Sequence, residues 1–343
     1  MKYLPFGSTG VFLSEIGFGA IPIIRLSFEE AGRVLRKAYD SGITLFDTAN
    51  AYHDSEEKIG RELSSVRDKI FLATKSMKRD GKTVVEHIDL SLRRLQTDRI
   101  DLFQFHQVAT EKDWQTISGP GGAMEAALKA QGDGKIRFIG ITSHSLAMAK
   151  KYVESGLFVS IQFPFNFIET EAAEELHPLA RKKNVAILSM KPFAGGAITD
   201  ASLAFKFLRS HESLFPIPGY DSVESVKQVV SFYDSPNRVN ESDLAAMESV
   251  KKEIGGEFCR RCEYCQPCPS GVAITQGMIY PLLASRMSPE VASEFASKGM
   301  DTIPECAECG LCVKKCPYTL PIPAMLKKHY ALYKSHRSGK EGV

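Results

Sequence analysis

Eight short apolar segments alternate with amphipathic segments through the first two-thirds of this 343-residue chain. The apolar segments are nearly continuous, which is typical of parallel strands that helices cover on both faces. They occupy residues 16–21, 43–49, 69–75, 101–107, 136–142, 159–163, 185–190 and 214–219. The pattern predicts a closed (β/α)8 barrel, the TIM-barrel fold, with a doubly wound open sheet as the alternative.

Local signals around these segments predict a helix start, a hairpin and a hinge. Ser27 and Glu30 have the spacing of a capping box, so a helix is expected to begin there. Two short apolar runs around Ser8-Thr9-Gly10 predict a hairpin that closes the bottom of the barrel, with a loop as the alternative. A further helix is predicted over residues 242–253, and Gly255-Gly256 after it is interpreted as a hinge.

The charge balance excludes several classes of partner. Lys and Arg number 43 and Asp and Glu number 41, so the net charge of +2 predicts no surface for nucleic acid or an anionic membrane. The N-terminus lacks the pattern of a signal peptide, and no apolar stretch approaches the ~20 residues of a membrane helix. With 43% apolar residues, the chain is expected to be a globular, cytoplasmic protein.

All eight cysteines lie between Cys259 and Cys316. Disulfides that staple a secreted chain would be spread along it, whereas thiols two residues apart converge on one metal centre. The placement predicts a barrel domain at residues 1–240 and a metal-binding domain at 241–343, which includes a connecting helix and a tail. The tail after residue 326 carries several basic residues and is expected to be a frayed, solvated end.

The second cysteine run has the Cys-x2-Cys-x2-Cys-x3-Cys-Pro spacing of a bacterial ferredoxin run for a [4Fe–4S] cluster. Its cysteines are Cys306, Cys309, Cys312 and Cys316, and the first run, one residue shorter in its last gap, is Cys259, Cys262, Cys265 and Cys268. In two-cluster ferredoxins the fourth cysteine of each run crosses to the other cluster. The resemblance therefore implies two clusters, with Cys316 completing the first set and Cys268 the second. Two zinc sites, each held by four thiolates, or a single cluster on the second run, are the alternatives.

Four polar residues lie at or just beyond the ends of three successive predicted strands: Asp47, Tyr52, Lys75 and His106. Barrel enzymes place their chemistry at this C-terminal rim. A lone Asp or Lys at a strand end is more often a cap or a rim salt bridge, but four such groups on three successive strand ends indicate a functional site.

The local sequences resemble those of the aldo-keto reductases. The segments that carry the resemblance are FDTANAYHDSEEKIGREL (46–63), FLATKS (71–76), SLRRLQTDRIDLFQFH (91–106) and IRFIGITSHS (136–145). The resemblance covers roughly residues 3–230. It implies that Tyr52 is the general acid, that Lys75 tunes its pKa, that Asp47 orients Lys75, and that His106 hydrogen-bonds the substrate oxygen.

The same resemblance implies a nicotinamide site, and here the chain departs from the family pattern. Ser143 and His144 stand where the family has Ser-Asn against the carboxamide, whereas Gln162 matches the family's glutamine. Met190 replaces the tyrosine that stacks on the nicotinamide, and its polarizable sulfur can still pack against a ring. Gly19 is also expected to contact the cofactor.

The segment after the last predicted strand resembles the loop that grips the adenosine end of the cofactor. It offers Gly219, Asp221 and Ser222, with Lys227 as the first cation. A carboxylate there would repel the 2′-phosphate of NADP and could accept hydrogen bonds from a 2′-hydroxyl. The expected cofactor is therefore NAD(P), with a preference for NAD(H).

Together these features predict an NAD(P)-dependent oxidoreductase that interconverts a small-molecule carbonyl and an alcohol and carries 4Fe–4S clusters in a ferredoxin-like, mainly helical C-terminal domain. The alternative is an electron-transfer or redox-sensing subunit that binds nicotinamide but has little free carbonyl reductase activity. A redox partner protein would fit either function.

Overall fold

The structure is a computed structural model that describes residues 1–254, 256–285 and 288–338. The strands are β1 (Tyr3–Pro5), β2 (Phe12–Ser14), β3 (Gly17–Gly19), β4 (Leu45–Asp47), β5 (Phe71–Ser76), β6 (Ile100–Phe105), β7 (Ile136–Thr142), β8 (Ser160–Pro164), β9 (Ala186–Met190) and β10 (Leu214–Pro216). The helices are α1 (Phe28–Asp40), α2 (Ser55–Leu63), α3 (Gly81–Arg94), α4 (Glu111–Ser118), α5 (Ala123–Gly132), α6 (Leu146–Ser155), α7 (Leu176–Lys182), α8 (Ala201–Leu208), α9 (Val223–Ser231), α10 (Glu241–Ile254), α11 (Ile274–Met278), α12 (Tyr280–Ala284), α13 (Pro289–Met300), α14 (Leu311–Lys315) and α15 (Ile322–Arg337).

Strands β3 to β10 form one parallel sheet in which each strand pairs with the next along the chain. The ends of the sheet meet where the Gly19 amide donates to the Pro218 carbonyl at 2.8 Å, beside a bridge between Gly19 and Gly219. A side chain at position 19 would lie 2.7 Å from the Ile217 carbonyl oxygen, so glycine permits this close approach. The closed, sequential order confirms the (β/α)8 barrel and excludes the doubly wound sheet, whose strand order reverses at one point.

The N-terminal hairpin is confirmed: β1 and β2 pair antiparallel, with Leu4 opposite Leu13. It carries Phe6, which is fully buried and lies 5.2 Å, centroid to centroid, from both Phe71 and Phe215. These two rings belong to the first half of β5 and to β10, so Phe6 fills the N-terminal end of the barrel. Burial of such a side chain stabilises the fold by about 1.5–3 kcal/mol.

Helix α1 begins as predicted. The Ser27 hydroxyl accepts from the Glu30 amide at 3.2 Å, and the Glu30 carboxylate accepts from the Ser27 amide at 2.9 Å. The buried side of the helix, which includes Val34 and Leu35, faces the barrel unit's interior. Local capping and helical periodicity therefore agree on where the helix starts and which side is buried.

The chain divides into two compact units. The first comprises residues 1–194 and 198–245, and the second comprises Gly195–Ala197 and the chain from Ala246 onward. Helix α10 closely matches the helix predicted over 242–253, whereas Gly255 of the predicted hinge lies outside the described residues. None of the helices in the described part of the chain is long and apolar enough to span a membrane.

Helices α11 to α15 of the second unit pack around a small apolar core. Its most deeply buried members include Tyr280, Met300 and Tyr333. The prediction of a frayed end after residue 326 is wrong, because residues 322–337 form the 16-residue helix α15. Its basic residues lie between buried positions such as Met325, Leu326 and His329, so the segment is amphipathic rather than fully solvated.

Candidate active site and cysteine-lined cavity

The C-terminal ends of β4 and β5 bring Asp47 and Lys75 together. The Lys75 ammonium donates to Asp47 Oδ2 at 2.5 Å and to the Thr48 carbonyl at 2.7 Å. Asp47 is 3% exposed and Lys75 is 2% exposed. Because charges this deep lose most of their hydration, the pair depends on close geometry and on further hydrogen bonds.

Tyr52 lies in the loop between β4 and α2, next to this ion pair. The Lys75 Nζ atom is 5.1 Å from the centroid of the Tyr52 ring. The ring of His106, just after β6, meets the Tyr52 ring edge-on, with the centroids 5.8 Å apart. The four predicted residues of the rim therefore share one site.

His106 is held as a neutral imidazole. Desolvation lowers the pKa of His106 well below its ordinary value, and the charges of Lys75 and Arg79 lower it further. Its Nδ1 atom is buried and has no hydrogen-bond partner among the described residues. A neutral imidazole carries one N–H donor, which is suited to a substrate oxygen rather than to an ion pair.

Arg79 holds the loop that carries His106, and sequence reasoning missed it. Its guanidinium donates to the carbonyls of His106 and Gln107, each at 2.9 Å. Gln107 has φ of 55°, a left-handed conformation that costs energy in a residue other than glycine. The two hydrogen bonds therefore fix a turn that the chain would not favour locally.

Glu56, inside the matched segment after Tyr52, is a further buried carboxyl beside this site. It is fully buried on α2 and accepts from the Thr74 hydroxyl at 2.6 Å, next to Lys75. Burial raises the pKa of the Glu56 carboxyl, and the hydrogen bonds from Ser91 and Thr74 oppose that shift. The contact ties the helix after Tyr52 to the strand of Lys75.

Two glutamines point their amides at Asp47. Gln162 on β8 donates to Oδ2 at 3.2 Å, and Gln104 on β6 donates to Oδ1 at 2.9 Å. Gln162 was expected at the cofactor, whereas Gln104 was missed. Its signal was available, because Gln104 is two residues before His106 and so faces the same side of the strand.

The predicted carboxamide residues lie at the ends of neighbouring strands. The Ser143 amide, just after β7, donates to the Gln162 carbonyl at 3.1 Å, and Met190 ends β9. Ser143 and His144 are both buried. Met190 is partly buried and packs against the apolar core of the barrel. Gln162 Oε1 is buried and has no partner among the described residues, so this acceptor fits an amide donor such as a carboxamide.

The residues predicted for the adenosine end of the cofactor lie just before and at the start of α9. Ser222 caps this helix, accepting from the Ser225 amide at 3.0 Å. The cation next to Asp221 is Arg25, at 3.2 Å, and not Lys227, which lies 3.8 Å from Glu224. Arg25 precedes α1, so its approach to Asp221 is decided by the closure of the barrel and could not be seen locally.

In the second unit, five cysteines line one cavity: Cys265, Cys268, Cys306, Cys309 and Cys312. Four of them are the set that the ferredoxin resemblance implies for the second cluster. Within the described residues, no three His, Cys, Asp or Glu side chains are close enough to hold a single metal ion.

The thiols of the first set influence one another as well. Burial raises the pKa of Cys265 to about 12, and Cys259 and Cys262 contribute to that rise. Burial likewise raises the pKa of Cys262, to which Cys316 of the second run contributes. Cys312 of the second run contributes to the rise at Cys265 as well, so the two runs lie close together, and their thiols are a donor set that suits iron.

Comparisons with known proteins agree with both units. A family model described as "Aldo/keto reductase family" matches residues 15–208, and one described as "4Fe-4S dicluster domain" matches residues 258–321. The "Aldo-keto reductase YhdN" of Bacillus subtilis is 30% identical over 246 residues, which cover 64% of this chain and 72% of that protein.

Solved structures share the barrel. The holo form of aldo-keto reductase AKR11C1 from Bacillus halodurans is 25% identical, with a TM-score of 0.63 over 73% of this chain and 96% of that one. An aldo/keto reductase from Klebsiella pneumoniae, solved with NADP and acetate, has the same fold at 20% identity, with a TM-score of 0.62 over 73% of this chain and 96% of that one. The chain belongs to the aldo/keto reductase family and carries a C-terminal 4Fe–4S dicluster domain.

Proposed function

We propose that this oxidoreductase interconverts a small-molecule carbonyl and an alcohol, with Tyr52 as the group that gives or takes the proton. The observation that carries the proposal is the convergence of Tyr52 on the buried Lys75–Asp47 pair and on a neutral His106. A phenol near an ammonium is an acid–base group, since the cation stabilises the phenolate left after proton transfer.

A nicotinamide cofactor, when bound, supplies or accepts the hydride. Gln162, Ser143 and Met190 would hold its nicotinamide end, because they lie on or just after three adjacent strands and Gln162 Oε1 is an unused acceptor. The Klebsiella pneumoniae aldo/keto reductase, which shares the barrel fold, was solved with NADP, a nicotinamide cofactor.

Four residues of the chain transfer the proton and stabilise the charge that develops. Tyr52 donates its hydroxyl proton to the carbonyl oxygen as that oxygen becomes an alkoxide. Lys75 then lies beside the phenolate, and Asp47 keeps the ammonium in place. His106, neutral and therefore able to donate one hydrogen bond, stabilises the charge on the same oxygen. In the oxidation direction the Tyr52 phenolate removes the alcohol proton.

The first prediction concerns Tyr52. The Tyr52→Phe substitution keeps the ring but removes the proton, so kcat for carbonyl reduction should fall on the order of 10²-fold or more while cofactor binding persists. A panel of aldehydes and ketones, followed by nicotinamide absorbance under anaerobic conditions, measures this. Tyr3→Phe, which removes an exposed hydroxyl bonded to Gly42, is the matched control. Turnover near wild type in Tyr52→Phe would contradict the assignment.

We also propose a preference for NAD(H). Asp221 is about half exposed and paired with Arg25, so the nearest cation is already neutralised by a carboxylate. A 2′-phosphate at this position would have to displace Asp221 from Arg25 and meet its negative charge, whereas a 2′-hydroxyl could donate to the carboxylate.

The second prediction tests this loop. Unmodified protein should bind NADH more tightly than NADPH, and Asp221→Arg should shift the ratio of dissociation constants toward NADPH by about tenfold or more, which is about 1.4 kcal/mol. Glu224→Arg, an equal charge change in the first turn of α9, is the control and should shift the ratio less. Tighter NADPH binding by the unmodified protein would overturn the proposed preference.

For the second unit we propose two [4Fe–4S] clusters with crossed ligands. Cys259, Cys262, Cys265 and Cys316 would hold one, and Cys268, Cys306, Cys309 and Cys312 the other. The support is the ferredoxin-like spacing of the two runs, together with a cavity that all four members of the second set line with Cys265 of the first. Thiolate-bound iron requires reduced cysteines, so we place the protein in the cytoplasm.

The third prediction separates crossed from uncrossed ligation. Cys268→Ala and Cys309→Ala should lose the same cluster, so each should retain about half of the iron and give the same paramagnetic resonance spectrum. Cys262→Ala and Cys316→Ala should share a second, different spectrum. If Cys268→Ala instead gives the same spectrum as Cys262→Ala, each run holds its own cluster and the crossed arrangement is excluded. Zinc bound in place of iron would exclude the clusters.

A second candidate function is electron transfer to a redox partner protein, which the exposure of Cys309 favours. A cubane cluster normally passes one electron at a time, whereas a hydride carries two. We therefore propose that the clusters stabilise the second unit or serve a partner, and take no direct part in hydride transfer at the barrel.

The fourth prediction follows from this mismatch. We expect no signal from reduced clusters when the oxidised protein is mixed with NADH alone. Electron paramagnetic resonance on samples frozen within the time of one turnover measures this. Dithionite, a one-electron reductant, is the positive control and should produce the signal. A signal that forms with NADH at the turnover rate would show that hydride feeds the clusters.

A further inference from the structure

Two glutamine amides meet the buried carboxylate at the centre of the barrel rim, and one of them has no place in the reaction described above. Gln104 is fully buried on β6, and its Nε2 atom lies 2.9 Å from Asp47 Oδ1. We propose that Gln104 is a positioning residue, which orients the Asp47 carboxylate and, through it, the Lys75 ammonium beside Tyr52. The inference rests on the proposed function of that site.

The charge on Asp47 makes this contact necessary. An ionised carboxylate that is 3% exposed must have its oxygens satisfied by protein donors. Oδ2 receives both Lys75 and Gln162, at 2.5 Å and 3.2 Å. Gln104 donates to Oδ1, so it holds the oxygen of the carboxylate that the ammonium does not.

The geometry fixes the rotation of the carboxylate. Its two oxygens are held by amides from β6 and β8, which lie on either side of β7 in the sheet. The amide of Gln104 has one orientation here, because turning it over would place its carbonyl oxygen against the negative charge. Its Oε1 atom is accordingly buried without a partner in the described part of the chain.

Strand β7 leaves room for the Gln104 side chain. Gly140 is the register partner of Gln104. A Cβ atom at position 140 would lie 3.3 Å from Gln104 Cγ and 2.3 Å from Ser160 Oγ. A side chain there would therefore crowd Gln104, and glycine opens the space that the glutamine occupies on its way to Asp47.

Loss of the amide should act on proton transfer more than on binding. A carboxylate free to turn would let the Lys75 ammonium shift, and that ammonium lies 5.1 Å from the Tyr52 ring centroid. Gln104 has no contact with Ser143, Met190 or the Asp221 loop among the described hydrogen bonds. The expected signature is a slower chemical step with unchanged cofactor affinity.

The fifth prediction tests this signature. Gln104→Met keeps the length of the side chain and removes the donor, so kcat should fall about tenfold, the dissociation constant of NADH should stay unchanged, and the solvent isotope effect of heavy water on kcat should rise. Gln131→Met, which removes one exposed amide bonded to Arg137, is the matched control. Gln104→Leu is the second variant if the first does not fold.

A crystal structure of the Gln104 variant gives a readout that does not depend on turnover. The Lys75–Asp47 distance should lengthen from 2.5 Å to beyond about 3.2 Å, the limit of a normal hydrogen bond. Two results would overturn the inference and leave the proposed function intact. One is an active wild-type enzyme whose Gln104 variant has the same kcat and isotope effect. The other is a variant in which the Lys75–Asp47 distance is unchanged. A wild-type protein inactive on all carbonyls would defeat the proposed function, and the crystallographic distance would still decide the role of Gln104.

Discussion

The buried ion pair between Lys75 and Asp47 is the contact around which the rim of the barrel is arranged. Moving two charges out of water costs several kcal/mol per ion, and only close contact with extra hydrogen bonds offsets that cost. The bonds come from β4, β5, β6 and β8, so four strands must keep their register for the pair to exist. A slip of one residue would turn these side chains away from the interior. The register that satisfies the charges is thus also the register that places Tyr52 and His106 beside them.

The second unit is stabilised in a different way from the barrel. Its apolar core is small, and six cysteines pack against it: Cys259, Cys265, Cys268, Cys306, Cys312 and Cys316. Burial raises the pKa values of Cys262, Cys265 and Cys312, so these thiols hold their protons until a metal displaces them. Cluster binding and folding of this unit should therefore be coupled, as in other small metal-binding domains.

Much of the fold could be read from periodicity, because strands in a closed parallel barrel are apolar on both faces and helices carry their own caps. The hairpin that inserts Phe6, the start of α1 and the strands that carry Asp47 and Lys75 all have local signals. Helix α15 was missed because its basic residues were taken for a solvated tail, although buried residues recur among them. Arg79 was missed because its partner His106 lies 27 residues away and the sequence around Arg79 gives no sign of it. The alternation along β6 places Gln104 on the same side of the strand as His106, but its partner Asp47, 57 residues away, could not be identified from local sequence.

The alternation of strands and helices, the matched segments of the family and the spacing of the two cysteine runs are local patterns along the chain, so the amino-acid order alone specifies them. Tertiary structure decided which groups meet. It placed Arg25 rather than Lys227 next to Asp221, and two glutamines on one carboxylate. The reason is that a hydrogen bond or ion pair depends on atoms a few ångströms apart, and only the closure of the barrel brings distant strands to that distance.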